Sequence, residues 1–345
     1  MKILLYSDVH WCQHSSIIMQ EGKKYTLRLE NLIKCLNWVQ GLALKEGCKA
    51  CISLGDFFDR PTLTDQEITA LQDIKWNPDI KNYFIVGNHC SSVSDLRYSS
   101  MSIVEGPNRK VISKPTTMMF DKLEVCMLPY IIEDDRKPLV SYFPKTGKQR
   151  LILSHNDIKD FNFGNIISKT GFTIPEIEAD CDLYINGHLH LGSALTKKVI
   201  NIGNLSGKDF SEDARLYPHR VIIIDTDDLM NYKSIENPYS FNFYKFKIDS
   251  KKDFSKLLTL KNNAVLYISV RDILVNEVKE KLSSLPNIVA YRLVLTHEMF
   301  NSDKPDGNIE DLQMDYLKKF VECCEDKMEH TKLLEDELSI ICGGK

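Results

Sequence analysis

No stretch of this chain is long and apolar enough to cross a bilayer; none approaches the ~18–20 residues that a spanning helix requires. No internal repeat and no low-complexity tract is present, which excludes a solenoid or a disordered array. Cys48 and Cys51 form a Cys-x-x-Cys, but no second pair exists to complete a zinc ribbon. A strong positive charge is also lacking. The formal net charge is −4, which does not advertise a nucleic-acid binder. The opening Met1-Lys2-Ile3-Leu4-Leu5-Tyr6 is too short for a signal peptide, and residence in the cytosol is the default expectation. The ten cysteines sit at irregular positions, mostly inside apolar stretches, and read as reduced core residues.

What is present is an ordinary globular composition. The 345 residues are 43% hydrophobic and 27% charged, enough for a full core and more than one domain. Charge is uneven along the chain. Residues 301–345 carry 12 acidic and 6 basic side chains, which leaves the rest at +2. The acidic end is a poor DNA contact, whereas the body tolerates a phosphate backbone.

Chemistry concentrates in five short clusters: Asp8-Val9-His10, Gly55-Asp56-Phe57-Phe58-Asp59-Arg60, Gly87-Asn88-His89, Ser154-His155-Asn156 and Gly187-His188-Leu189-His190. They hold five of the nine histidines. Each follows a short apolar run that reads as a strand, so a fold that feeds strand ends to one edge brings them together. Two divalent ions about 3.5–4 Å apart need a shared ligand, and Asp56 is the natural bridge. One ion then takes Asp8, His10 and His190; the other takes Asn88, His155 and His188. Mixed imidazole and carboxylate donors suit manganese, iron or zinc better than magnesium or calcium. Gly55, Gly87 and Gly187 precede ligands and suggest turns that need glycine's φ freedom. His188 and His190 would share one side of a strand, but a sharp turn lets them reach different ions. His89 is spare in this scheme and is a candidate to protonate a leaving oxygen. Arg60, after Asp59, is either a phosphate contact or half of a structural ion pair.

Periodicity places a strand at residues 2–6, a helix at 25–46 with Leu29, Leu32, Ile33, Leu36 and Val39 on one face, a strand at 50–54, a helix at 65–74 and a strand at 83–86. That order implies a largely parallel buried sheet. Short strands follow at 110–112, 116–120, 123–128, 150–153, 183–185, 199–202 and 221–224. The polar segment 130–149 reads as a loop. A strand–helix–strand unit occupies 264–295. A linker at 301–308 precedes helical spacing over 309–341.

These clusters, in this order, resemble the signature of the calcineurin-like metallophosphoesterase superfamily, over about residues 2–225. The resemblance implies an α/β fold: a two-sheet β-sandwich flanked by helices, with both metals at strand ends. Within it the chain resembles the SbcD-type nuclease subunit in its compact, phage-like form. The segment Val199-Ile200-Asn201-Ile202-Gly203-Asn204 and the return strand Val221-Ile222-Ile223-Ile224-Asp225 carry that second likeness. It implies a catalytic domain over 1–228, a small α/β DNA-binding cap over 240–298, and a C-terminal helical pair over 306–345 that docks an SbcC-like, SMC-type ATPase at its coiled coil. Two Mn²⁺ ions, DNA as substrate, a homodimer and the cytoplasm (the host's, for a phage protein) are the matching expectations. Cys90 departs from the pattern: an acid usually stands there and orients the preceding histidine, so a thiol is expected to hold His89 weakly.

Three functions follow for comparison. A metal-dependent DNA exonuclease or endonuclease subunit, acting in repair, recombination or replication, accounts for the roughly 120 residues beyond the catalytic region. A stand-alone phosphoesterase for a small phosphodiester or a phosphoprotein would use the same metal chemistry. A scaffold that has lost chemistry is argued against by the complete ligand set.

Overall fold

The computed structural model describes residues 1–13, 23–92, 95–161 and 167–296. The chain divides into a unit over Met1–Thr296 and a second over His297–Lys345. The linker and helices expected over 301–341 lie outside the described residues.

Along the chain run β1 (Lys2–Tyr6), α1 (Leu27–Lys45), β2 (Cys48–Ser53), α2 (Asp65–Ala70), β3 (Lys81–Ile85), a small hairpin β4 (Ser91–Ser92) and β5 (Asp95–Ser99), and β6 (Arg109–Ile112). Next come β7 (Thr116–Phe120), β8 (Leu123–Leu128), β9 (Arg150–Ser154), α3 (Ile174–Asp180), β10 (Leu183–Asn186), β11 (Ser193–Ala194) and β12 (Val199–Asn201). The described part ends with β13 (Arg220–Asp225), β14 (Asp228–Glu236), β15 (Asn242–Ile248), β16 (Ala264–Arg271), α4 (Val275–Ser283) and β17 (Ile288–Thr296).

Two six-stranded sheets form the body, in the orders β14-β13-β1-β2-β3-β6 and β11-β12-β10-β9-β8-β7. In the first, β1, β2, β3 and β6 are parallel; in the second, β8, β9, β10 and β12 are parallel. Strands buried on both faces read as continuous apolar runs. The period of two divides each run between two cores. Ile3 and Leu5 face the other sheet, together with Ile52, Ile85, Val125, Leu151, Leu153 and Ile185. Leu4 and Tyr6 face the opposite way, against Leu29, Leu32, Leu36 and Val39 of α1. The result is a two-sheet sandwich with helices outside.

Local signals set the helix ends. Thr26 caps α1 through the Leu29 N–H, and Gly47 follows the end at φ +74°. At α2, Thr64 and Glu67 form a reciprocal capping box. The helix expected to reach Ile74 stops at Ala70, and a 3₁₀ turn, Leu71–Asp73, tightens the exit so that Ile74 enters the core in extended conformation.

Segment 130–149 is irregular, as its composition suggests, but it is not only a surface loop. Leu139 and Phe143 are buried against Phe172, Ile177 and Tyr184 and cover the outer face of the second sheet. Helix α3 escaped the sequence reading, although Thr173 and Glu176 form a capping box with Pro175 in the first turn. Also missed were β14, whose residues are largely exposed, and β15. Strands β15, β16 and β17 make a third, all-parallel sheet, with α4 between the last two. The seven cysteines within the described residues are buried. Among the described residues no helix is long and apolar enough to cross a membrane.

Leu153 is fully buried between the sheets. Leu153→Ala should lower the unfolding free energy by about 2–5 kcal/mol, measured by urea denaturation, without displacing the site beyond the strand end.

Candidate metal centre

The five clusters occupy the carboxyl ends of five parallel strands. Asp8 and His10 follow β1, Asp56 follows β2, and Asn88 and His89 follow β3 in one sheet; His155 follows β9 and His188 follows β10 in the other. The loops interlock: Asp8 N–H donates to the Gly55 carbonyl, His10 N–H to that of Asp56, and Gly187 N–H to that of Ser154.

Four side chains of this edge sit on left-handed backbone: Asp8 at φ +50°, His10 at +47°, Asp56 at +43° and His188 at +69°. Such conformations are costly for residues with a Cβ and persist where the surroundings enforce them. The glycines serve a different purpose from the one expected. Only Gly55 of the three takes positive φ, at +106°. At Gly87 a Cβ would collide with the Asp56 carboxylate and backbone, so the requirement there is room.

The site residues gather in two halves. Asp8, His10 and His190 offer ligand atoms within 4.8 Å of one another, and so do Asp56, His155 and His188. His10 Nε2 and His190 Nε2 are 2.8 Å apart, and each lies 3.9 Å from Asp8 Oδ1. Those separations leave a point about 2.1 Å from all three atoms, the length of a metal–imidazole or metal–carboxylate bond. In the second half His155 Nε2 lies 3.2 Å from Asp56 Oδ2 and 3.3 Å from Asn88 Oδ1. The turn at His188 carries His188 and His190 into different halves.

Partners behind the rings decide which nitrogen is free. His190 Nδ1 meets Glu212 Oε1 at 2.5 Å, and His10 Nδ1 lies 3.0 Å from Asp59 Oδ1. His155 Nδ1 meets the Leu54 carbonyl at 2.6 Å. Carboxylate and carbonyl oxygens only accept, so the His190 and His155 Nδ1 atoms donate and leave their Nε2 atoms free. The His10 and His190 Nε2 atoms, 2.8 Å apart, need a hydrogen or a cation between them. Asp8 Oδ1 and His188 Nδ1 are buried without a hydrogen-bond partner. Orphaned buried donor atoms, convergent lone pairs and a mixed imidazole–carboxylate set fit divalent cations.

Electrostatics supports the same picture. Burial alone would depress the His155 imidazolium, but the Asp56 carboxylate overrides it and pushes its pKa up to about 9. Burial disfavours an ionised Asp56, yet the surrounding imidazoles hold it well below the usual carboxylate range. His10 is pushed down to about 4 by burial, which keeps it neutral and available as a ligand.

Three residues at the site escaped the sequence reading. Glu212 accepts from His190, from Asn204 Nδ2 at 2.8 Å and from Lys208 N–H at 2.8 Å. Lys208 Nζ lies 2.7 Å from Asp59 Oδ1. Asp157 Oδ1 lies 3.4 Å from His188 Nε2. Only Asp157, two residues after His155, carried a signal of position; the other two lie in a polar stretch with no motif. Arg60 donates to both carboxylate oxygens of the buried Glu67, at 2.7 and 2.8 Å, and is thereby a structural pair. His219 is buried, with Nδ1 2.8 Å from Asn204 Oδ1, in a chain that leads through Asn204 to Glu212.

Cys90 requires a correction. The His89 ring is anchored through Nδ1 to the Asp59 carbonyl at 2.9 Å, while the Cys90 thiol is buried among Phe57, Phe58 and Phe84 and faces the Phe58 carbonyl at 3.7 Å. A backbone acceptor, not residue 90, therefore sets the ring.

Residues 1–192, more than half of the chain, match the calcineurin-like phosphoesterase family. The chain belongs to that family. Its members use divalent metals to hydrolyse phosphoesters. Among curated proteins the chain is 24% identical over 171 residues to exonuclease subunit 1 of Enterobacteria phage T4, covering 44% of this chain and 50% of that one. The chain thus spans about half the length of that relative. Solved structures with similarity include an archaeal phosphodiesterase (14% identity, 68% of this chain and 99% of that one, TM-score 0.34). A Thermus thermophilus protein (10%, 68% and 98%, 0.41) and a dimetal phosphatase from Danio rerio (12%, 68% and 98%, 0.37) are others. The assignment rests on the family match.

Two expectations follow. Cys90→Asp puts a carboxylate into an apolar core and should destabilise the metallophosphoesterase by roughly 3–5 kcal/mol, with no gain in turnover per folded molecule; urea titration and active-site counting check both. The raised pKa of His155 makes a stabilising contribution that is complete below pH 6.5 and lost as pH rises through about 9. Metal-free protein should therefore lose thermal stability over that window, while apparent Mn²⁺ affinity rises as the competing proton leaves; scans in EDTA and metal titrations at stepped pH measure both.

Proposed function

We propose that this metallophosphoesterase is a two-metal-dependent DNA nuclease subunit. The observation that carries the chemistry is the convergence of Asp8, His10, Asp56, His155, His188 and His190 from the ends of strands in two sheets. Asp8, His10 and His190 would hold one cation, Asn88, His155 and His188 the other, and Asp56 both. Two divalent cations, with manganese the best match to this donor set, would activate a water nucleophile and offset charge on the phosphoryl group.

The protein's own groups do the rest. Glu212 holds His190 in the tautomer that presents Nε2, and Asp59 Oδ1 stands 3.0 Å from His10 Nδ1. The backbone N–H of His89 donates to Asp56 Oδ1 at 2.9 Å and fixes that carboxylate. With Nδ1 committed to the Asp59 carbonyl, His89 keeps Nε2 to hold a proton for the leaving oxygen.

DNA as substrate is supported by the likeness to a phage exonuclease subunit and by the third sheet, which a minimal phosphoesterase does not need. In this reading residues 240–298 form a DNA-binding cap and 306–345 dock an SbcC-like ATPase, with the catalytic region pairing into a homodimer.

With Mn²⁺, the full chain should cleave duplex DNA ends as well as bis-para-nitrophenyl phosphate. Asp56→Asn should abolish both, and His89→Asn should lower turnover by about 10²-fold or more with metal binding retained. Robust hydrolysis of the small ester with DNA left intact would transfer the assignment to a stand-alone phosphodiesterase.

A further inference from the structure

A phosphodiester at this edge would gain from a side-chain cation beside the metals, and the residue that sequence alone would nominate is not free to act. The Arg60 guanidinium is committed to both oxygens of Glu67, a buried carboxylate that also accepts the Thr64 and Gln13 backbone N–H groups. Releasing Arg60 would strand a fully buried charge.

Lys208 stands differently. Its ammonium lies 2.7 Å from Asp59 Oδ1 and 3.4 Å from His10 Nδ1, at the rim of the half formed by Asp8, His10 and His190. Its side chain is 24% exposed, as is that of Asp59, so neither is sealed from solvent. Its backbone is tightly set. Lys208 N–H donates to Glu212 Oε2, and the preceding Gly207 carbonyl accepts from the buried Arg28 at 2.6 Å. The carboxylate that orients His190 therefore also fixes where Lys208 starts. Asp59 keeps a second polar neighbour in the His10 ring, whose Nδ1 lies 3.0 Å from Oδ1, if the ammonium turns outward. An ammonium carries three donors on a flexible stem, and the contacts to Asp59 and His10 leave one over.

We infer that Lys208 is the phosphate-contacting residue of this site: its ammonium pairs with a non-bridging oxygen of the scissile phosphodiester. The inference deepens the phosphoesterase reading and rests on it for the identity of the substrate, though not for the binding of phosphate. A lysine that served only as the ion-pair partner of Asp59 would leave phosphate binding unchanged when removed.

The test uses the full chain, wild type, Lys208→Met and Lys208→Arg, with inorganic phosphate as the probe. Calorimetry of phosphate binding to the Mn²⁺-loaded protein should show about tenfold weaker binding in Lys208→Met, a loss typical of one charge-assisted hydrogen bond. Lys208→Arg should recover most of it. Separate titration should give an unchanged Mn²⁺ affinity in both variants. The salt dependence of duplex DNA binding should fall by about one unit of slope in Lys208→Met. Equal phosphate affinity in all three proteins, or Mn²⁺ affinity falling in step with phosphate affinity, overturns the inference. If phosphate binding depends on Lys208 but the wild type hydrolyses no phosphoester, the inference stands and the proposed function fails.

Discussion

Everything at this site depends on keeping carboxylates and imidazoles buried within a few ångströms of one another at the seam between two sheets. Asp8, His10, Asp56 and His155 are all essentially inaccessible to solvent. Burying such groups is unfavourable unless each charge is paired and each polar atom satisfied. The fold meets that demand with main-chain groups as much as with side chains. His89 N–H serves Asp56, His188 N–H serves Asp8, and the Leu54 carbonyl serves His155. The atoms left over include Asp8 Oδ1 and His188 Nδ1, both on residues grouped as candidate ligands. The strained backbone at Asp8, His10, Asp56 and His188 belongs to the same arrangement, because parallel strands packed on both faces hold the loops that follow them.

The segment from Asn204 to Ala214 ties this edge to the third sheet. Within it, Glu212 orients His190, and Lys208 brings charge beside Asp59. The same segment is anchored outward. Gly207 N–H donates to the Phe241 carbonyl, Ala214 N–H to that of Phe243, and the Phe210 ring packs edge-on to Phe243 and Tyr267. One short loop therefore joins His190, a candidate ligand, to the third sheet.

Much of this was legible in the residues. Short apolar runs ending in Asp8, Asp56, Asn88, His155 and His188 marked strands by their composition, because parallel strands buried on both faces cannot tolerate polar positions until they end. Leu29, Leu32, Leu36 and Val39 disclosed α1 by their spacing. Strand β14 was not legible, because its side chains are largely exposed at the edge of a sheet and show no apolar rhythm. Helix α3 was legible in principle through Thr173, Pro175 and Glu176, but seven residues are too few for periodicity to register.

The sequence by itself determined that carboxylate, imidazole and amide side chains are set at strand ends, since residue type and local pattern depend on neighbours along the chain. Tertiary structure decided how those groups are tuned. It assigned Arg60 to Glu67, left residue 90 to the core, gave the His89 ring a backbone anchor, and brought Glu212 and Lys208 to a site roughly 150 to 200 positions from Asp8, Asp56 and Asp59. No local pattern encodes such contacts, because they are set by the packing of one sheet against another and by which donor reaches a buried oxygen first.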